Sequence, residues 1–282
     1  MLRFTQSTNP SRKPLLVPAG RCSVGYCIAL TLAYVSLVGA PPVRATSSDE
    51  DARASSDSPA LTLVFFDDFS TDPNTNGQWT VHRNAGDLSS EAVWDSTRQA
   101  WALTRARENR GVAVFANYEL TATTWRVEFS YRAGNLGGLQ GGGDGFVLMF
   151  YKNKAAYGTP AGGAEKGFEL SNGSSVPGYG LQFDNYIQGC DPPPTDYYAL
   201  IQDDVCTFLG GQEYDWIGAN DWHRVRIGFV EGAIRISIDK ATFLDTQLAD
   251  PDYSFSGIGF GAGTGSAYGD YEIDNFRLWV SE

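Results

Sequence analysis

The sequence is short of histidine, of basic residues and of helical patterning, and each shortage excludes a class of protein. Its 282 residues include two histidines, His82 and His223, and neither belongs to a serine or cysteine arrangement typical of nucleophilic catalysis. No stretch has the spacing of apolar residues that predicts an amphipathic helix, which excludes a helical bundle.

Acidic residues outnumber basic ones, 33 Asp and Glu against 21 Lys and Arg. The first 45 residues hold five of the basic residues and none of the acidic ones, so the rest of the chain has 16 basic and 33 acidic residues, a net charge of −17. This charge argues against binding to nucleic acid or to anionic membranes. It is compatible with neutral ligands and with cations.

Residues 1–45 have the features of a secretory signal peptide. Basic residues precede an apolar run at residues 23–39, and Val-Arg-Ala at 43–45 matches a cleavage site. We predict a secreted, extracellular protein that is not inserted in the membrane after cleavage; an uncleaved anchor is the alternative, because the charged segment is long. Residues 46–60 predict a disordered acidic linker, and residues 61–282 predict one domain.

Two cysteines remain once the predicted leader, with Cys22 and Cys27, is removed. These are Cys190 and Cys206, and in an oxidising compartment we expect them to form a disulfide. Two cysteines without a nearby histidine do not predict a structural zinc site.

Apolar and polar residues alternate along most of residues 61–282, which predicts half-buried strands. In one such run Trp125, Val127, Phe129 and Tyr131 share a face. Strands are predicted at residues 61–66, 92–94, 100–104, 112–117, 125–131, 145–152, 180–184, 197–202, 225–229, 234–238, 255–262 and 271–280, with a hairpin turn at 231–232. More than ten short strands predict an all-β sandwich.

The segment from Tyr179 to Asp204 combines two predicted strands with a loop rich in oxygen donors. The donors are Asp184, the carbonyls around Tyr186, Gln188, Asp191 and Asp196. Calcium takes six to eight oxygen ligands, so the loop is a candidate calcium site. A solvated acidic loop is the alternative that spacing leaves open.

Two glycine-rich stretches accompany this loop. Residues 141–145 (Gly-Gly-Gly-Asp-Gly) precede a fully apolar strand that ends at Phe150, and residues 257–276 read as strand, glycine loop and final strand. The order and spacing of the three stretches, over about residues 65–279, resemble the legume-type (L-type) lectins. The resemblance implies a concanavalin A-like jelly-roll β-sandwich of two antiparallel sheets, and a calcium-assisted, non-catalytic protein that binds glycans or polysaccharides.

The resemblance also assigns sugar-binding residues. Asp144 resembles the carboxylate that contacts sugar hydroxyls and often follows a cis peptide, here from Gly143. The loop from Gly263 to Tyr268 resembles the one that shapes monosaccharide specificity. The implied sugar-binding set is Asp144, Gly145, Tyr186, Gln188, Gly263, Thr264 and Tyr268. The aromatic residues in predicted loops that could stack on a sugar are Tyr157, Tyr186, Trp216 and Tyr268.

One calcium site is implied, with Asp184, the Tyr186 carbonyl, Gln188, and either Asp191 or Asp215 as ligands. The chain departs from the plant lectins where they hold a transition metal, because Gln182 and, approximately, Tyr198 stand in place of a Glu and a His.

Two other functions remain open: a glycoside hydrolase of the same fold, and an adhesive or structural domain without sugar affinity. The strand Gln182-x-Asp184-x-Tyr186 lacks the carboxylate pair of one large hydrolase family. Glu272 and Asp274 share a strand face, which we interpret as solvent-exposed.

Overall fold

The described part of this computed structural model comprises residues 60–187, 189–191, 196–213, 220–249 and 254–281, with Gln140, Gln212 and Glu213 described by their backbone only. The predicted signal peptide and all of the predicted linker except Ala60 lie outside these residues. The strands are β1 Leu61–Asp67, β2 Trp79–Arg83, β3 Glu91–Asp95, β4 Ala100–Thr104, β5 Arg110–Ala116, β6 Thr124–Gly138, β7 Gly145–Tyr151, β8 Gly178–Asp184, β9 Tyr197–Gln202, β10 Phe208–Glu213, β11 His223–Val230, β12 Ala233–Ile238, β13 Ala241–Gln247, β14 Gly257–Thr264 and β15 Ala267–Ser281.

The strands form two antiparallel sheets, which confirms the all-β sandwich. An eight-stranded sheet has the order β13-β12-β11-β6-β15-β4-β3, with β1 paired to β15, and a seven-stranded sheet has the order β10-β9-β8-β7-β14-β5-β2. Within the described residues the helical elements are short 3₁₀ turns at Leu139–Gly141, Lys154–Ala156 and Gly163–Glu165.

Alternate aromatic side chains of the two sheets meet in the main core. Trp125 of β6 lies 5.3 Å from Phe150 of β7, and Phe129 of β6 lies 5.0 Å from Phe260 of β14, measured between ring centroids. All four rings are buried. The period-two pattern of the sequence therefore identifies the inward face of the eight-stranded sheet correctly.

The seven-stranded sheet is buried on its outer face as well. Residues 152–177, here called the covering loop, pack Tyr157, Phe168 and Val176 against that face. Phe115 and Met149 belong to the same apolar cluster. This second layer explains why every residue of β7 is buried, whereas one core alone would leave alternate residues in solvent.

Glycines of β14 let the covering loop lie directly on the strand. A Cβ on Gly261 would lie 2.5 Å from the Lys166 carbonyl oxygen, and one on Gly263 would lie 2.8 Å from the Lys166 Cα. Both distances are shorter than van der Waals contact, so only glycine allows this approach. The contact places Lys166 beside the carboxyl end of β8.

Candidate functional site

Asp144 lies in the glycine-rich stretch 141–145 and directly precedes β7. The Gly143–Asp144 peptide is cis, as the lectin resemblance implies. Its backbone N–H donates to the Gly263 carbonyl at 3.1 Å, and its carbonyl accepts from the Asn185 N–H at 3.4 Å. The residue is 4% exposed. Hydrogen bonds to β14 and to the residue that follows β8 thus fix the position of a nearly buried carboxylate.

The Asp144 carboxylate borders a pocket. Its Oδ2 atom is buried and has no hydrogen-bond partner among the described residues. That atom lies 3.2 Å from where a Cβ on Gly265 would stand, and 3.9 Å from the equivalent point on Gly163. Both glycines line an open pocket of about 260 Å³, whose lining residues are Asn84, Asn109, Gly162, Gly163, Thr264 and Gly265. A buried carboxylate oxygen without a donor at a pocket wall is a position for a ligand donor.

Burial raises the pKa of Asp144 to about 6, and the charges of Asp184 and Glu165 act in the same direction. The Lys166 ammonium and the Gly265 backbone N–H oppose this shift in pKa, because both favour the ionised carboxylate. At neutral pH the group is therefore mostly ionised and is a strong hydrogen-bond acceptor.

Asp184 ends β8, and its fully buried carboxylate is surrounded by protein donors. Its Oδ2 lies 2.6 Å from Lys166 Nζ and accepts from Gln182 Nε2 at 2.9 Å. Its Oδ1 accepts from the Tyr186 backbone N–H at 2.8 Å. Burial is the main cause that raises the pKa of Asp184 to about 6. The nearby Lys166 ammonium opposes this rise, because it favours the ionised carboxylate. The side chains of Lys166 and Asp184, which form this ion pair, are both 0% exposed.

Asp191 lies close to Asp184, and Tyr197 connects the two. The Tyr197 hydroxyl oxygen is 2.7 Å from Asp191 Oδ1 and 3.2 Å from Asp184 Oδ2, and it accepts from Gln182 Nε2 at 2.7 Å. Tyr198, the approximate counterpart that the lectin resemblance implies for the metal-binding His, belongs to the main core between the sheets, where its ring lies 5.1 Å from that of Phe183.

Several predicted sugar-binding residues lie around Asp144. Gly145 has φ +128°, and a Cβ there would overlap the Phe183 carbonyl oxygen, so the position requires glycine. Tyr186 packs over Gly143, where an added Cβ would lie 2.9 Å from the Tyr186 Cβ. The structure therefore brings Asp144, Gly145 and Tyr186 together.

The loop predicted from Gly263 to Tyr268 is shorter than expected, because Gly263 and Thr264 belong to β14, and Tyr268 belongs to β15. Thr264 lines the pocket, with its hydroxyl donating to the Arg107 carbonyl at 2.6 Å. Tyr268 packs against Gly137 of β6, where an added Cβ would lie 2.7 Å from its ring.

Other predicted residues have different outcomes. Gln188, Asp215 and Trp216 lie outside the described residues. The prediction of Tyr157 as a sugar-stacking side chain is wrong, since it is 7% exposed and its hydroxyl donates to the Gly167 carbonyl under the covering loop. Cys190 and Cys206 form a disulfide with a Cα–Cα distance of 5.6 Å, as predicted.

Glu272 is buried, so the interpretation of its strand face as solvent-exposed is wrong for this residue. It is 1% exposed and is paired with Arg98 and Arg105, at 2.6 and 2.7 Å, and with Arg132. Three guanidinium groups compensate the charge that burial would otherwise disfavour.

Sequence reasoning missed Lys166, Asn185 and the pocket residues Asn84 and Asn109. Asn185 is 8% exposed, and neither atom of its side-chain amide has a hydrogen-bond partner in the described part of the chain. It follows Asp184 directly, so its closeness to the acidic loop was the available signal. Lys166 is 18 positions before Asp184 in the sequence and reaches it only through the folded covering loop.

No family model matches this chain, and no curated protein matches it. Solved structures do. The basic winged bean lectin with Tn-antigen has a TM-score of 0.63 at 14% identity, covering 78% of this chain and 98% of its own. The Bauhinia forficata lectin with GalNAc has a TM-score of 0.62 at 12% identity, covering 79% and 99%. The Ca²⁺/Man-bound VIP36 exoplasmic/lumenal domain has a TM-score of 0.55 at 15% identity, covering 71% and 82%. These likenesses confirm the legume-lectin-like, concanavalin A-like fold.

A membrane-spanning helix is not found in the part of the chain that the structure describes.

Proposed function

We propose that this chain, which has the fold of the legume-type lectins, binds carbohydrate in the pocket beside Asp144. The observation that carries the proposal is the buried Asp144 Oδ2, which lies between two lining glycines and has no donor from the described residues. A carboxylate there can accept hydrogen bonds from two adjacent sugar hydroxyls, each worth about 1.5–3 kcal/mol.

The pocket suits a neutral polyhydroxyl ligand. Apart from Asp144 on its border, the lining consists of two asparagines, a threonine and three glycines. Their amide and hydroxyl groups both donate and accept hydrogen bonds, as sugar hydroxyls do. Glycines leave the backbone accessible to a ligand. Tyr186, which packs over Gly143, adds an aromatic surface beside the carboxylate.

The structural neighbours support the ligand class. VIP36 is bound to mannose, the winged bean lectin to Tn-antigen and the Bauhinia lectin to GalNAc, as their descriptions state. At identities of 12–15% they support sugar binding as a class and leave the choice of monosaccharide open.

Secretion is part of the proposal. The signal peptide predicted at residues 1–45 would direct the chain out of the cytosol, and residues 61–282 would form the mature domain after the linker at 46–60. The Cys190–Cys206 disulfide supports this, because such bonds persist in oxidising compartments.

Calcium assistance stays a prediction from the sequence, and the contacts of Asp184 argue against it. The implied first ligand already receives Lys166 Nζ, Gln182 Nε2 and the Tyr186 N–H. Our proposal therefore rests on Asp144 and the pocket, with no role assigned to a metal.

A glycan array followed by calorimetric titration of the best glycan tests the proposal. Asp144→Asn keeps the shape of the side chain and weakens its acceptance of hydrogen bonds, so we expect at least about tenfold weaker binding with a Tm at pH 7 no lower than that of the wild type. Asp245→Asn is the matched control, since Asp245 is 67% exposed on β13. Retained affinity in folded Asp144→Asn protein would reject the site. Release of reducing ends from a polysaccharide would indicate the hydrolase instead.

A further inference from the structure

Lys166 is a fully buried lysine that the backbone of the covering loop holds in place. It follows the 3₁₀ turn Gly163–Glu165 with φ +50°, and its N–H donates to the Gly163 carbonyl at 3.0 Å. Its Nζ lies 2.6 Å from Asp184 Oδ2 and donates to the Ala164 carbonyl at 2.8 Å. Its side chain also lies on Gly145, where an added Cβ would be 3.2 Å from the lysine Cε.

The ammonium group meets the residue that the lectin resemblance assigns as first calcium ligand. Asp184 receives an ammonium, a side-chain amide and a backbone N–H within 2.9 Å. A calcium ion would need Asp184 oxygens at about 2.3–2.6 Å, together with several other oxygen ligands. It would therefore have to displace Lys166 and Gln182 from a fully buried position. The described donor set does not fit calcium at Asp184.

We propose that the Lys166 ammonium supplies the positive charge that a calcium ion supplies in metal-dependent lectins, so that this site keeps its shape without a metal. The fixed cation compensates Asp184 in a place that water does not reach. In this role Lys166 is a positioning residue, because it acts on the pocket through Asp184.

A continuous set of contacts leads from Lys166 to the pocket. Asp184, held by the ammonium, accepts from the Tyr186 N–H at 2.8 Å. The Tyr186 side chain packs over Gly143, which precedes Asp144 through the cis peptide. Loss of the lysine charge would therefore release the segment that positions the Asp144 carboxylate.

This inference rests on the proposed function, because it concerns the same site. Metal content and melting temperature are measured without any sugar. The metal-free site and the sugar-binding function can therefore be rejected independently of each other. The full chain is dialysed against EDTA and then against a calcium salt, and bound metal is measured by mass spectrometry. We expect no stoichiometric calcium and a Tm change below about 1 °C in millimolar calcium, because an ion without a site stabilises nothing. Stoichiometric calcium, or a clear rise in Tm, would overturn the proposal.

Charge-removal variants provide the second measurement. Lys166→Met keeps the length of the side chain and leaves Asp184 as an unpaired buried carboxylate, so we expect Tm to fall by roughly 6–20 °C. Asp184→Asn should lower Tm by a similar amount. The double variant Lys166→Met/Asp184→Asn contains no unpaired charge and should recover at least half of the loss in either single variant. Lys240→Met is the control, since Lys240 is exposed in the β12–β13 turn.

The variants also separate a charge role from simple packing. Additive losses in the double variant would mean that Lys166 and Asp184 act independently, and would contradict the proposal. If Lys166→Met does not fold, the double variant is compared with Asp184→Asn alone, where recovery supports the charge pairing and further loss contradicts it. Glycan affinity that EDTA leaves unchanged is a further expected result, and an affinity that requires calcium would overturn the proposal.

Discussion

The backbone N–H of Asn185 lies 3.4 Å from the carbonyl of Asp144, which joins the end of β8 to the start of β7 beside the pocket. Asn185 is 8% exposed, yet both atoms of its side-chain amide lack hydrogen-bond partners among the described residues. Native proteins leave few buried polar groups unpaired. A ligand or an ordered water is therefore the expected partner of this amide.

The first prediction concerns that amide. Asn185→Leu preserves the approximate size and removes two unpaired polar atoms, so we expect Tm to stay the same or to rise. Glycan affinity should fall by about 2- to 10-fold, the value of one neutral hydrogen bond. Scanning calorimetry and glycan titration on the same sample measure both. Unchanged affinity would show that water, and no sugar, satisfies the amide.

The second prediction concerns Gly145, whose φ of +128° and contact with the Phe183 carbonyl exclude a side chain. Gly145→Ala adds a Cβ that overlaps backbone, so β7 and β8 must separate at the site. We expect a loss of about 3 kcal/mol or more in the free energy of unfolding, because strain and steric overlap combine. Denaturant unfolding measures this loss.

Gly228→Ala is the matched control for Gly145→Ala. Gly228 lies in β11, has a negative φ, and a Cβ there would have no atom within 4 Å. We expect this change to be neutral or slightly stabilising, since it also reduces the freedom of the unfolded chain. Equal losses at the two positions would show that the steric argument for Gly145 is wrong.

The strands that the sequence predicts have either a period-two pattern, as in β6, or a continuous apolar run, as in β7. β4 and β9 have the predicted bounds, Ala100–Thr104 and Tyr197–Gln202. β2, β10 and β13 were not predicted. β10 contains Gly210 and Gly211, which lower strand propensity, and β13 is an edge strand with no fully buried residue to mark its inward face.

The sequence predicts those residues of the candidate site that lie within a recognisable local motif. Asp144 and Asp184 each stand in a recognisable stretch of glycine or acidic residues. Lys166 has no such context, because its contact with Asp184 depends on how the covering loop lies across β14. Tyr157 was misassigned for the same reason: a polar loop sequence does not show that the loop covers a second apolar layer.

The third prediction concerns the disulfide, which links the loop after β8 to the loop after β9 with a sequence separation of 16. The double variant Cys190→Ser/Cys206→Ser should lose about 3 kcal/mol of stability, because a closed loop of this size restricts the unfolded chain. Denaturant unfolding of this variant and of the wild type measures the loss. Two thiols that can be alkylated in the folded wild-type protein would contradict the disulfide itself.

The fourth prediction is that affinity and stability change in opposite directions with pH, because both depend on the ionisation of Asp144. Binding needs the carboxylate, whose pKa burial raises to about 6. Affinity for a neutral glycan should therefore fall by up to about tenfold for each pH unit below 6. Asp144→Asn should bind weakly at every pH. An affinity that is flat between pH 7 and about pH 5 would contradict the role of the carboxylate.

The effect on stability has the other sign. The pKa of Asp144 is higher in the folded chain than the value of about 3.9 expected for an unfolded one, so the folded state binds more protons between these values. The contribution of Asp144 to stability is fully present below about pH 4 and is lost as pH rises through 6. The difference in Tm between wild type and Asp144→Asn reports the ionisation of Asp144 together with its coupling to Asp184, whose pKa is also raised. The Tm of the wild type minus that of Asp144→Asn should decrease from about pH 4.5 to pH 7. If it stays constant over this range, Asp144 ionises with an ordinary pKa and the prediction is wrong.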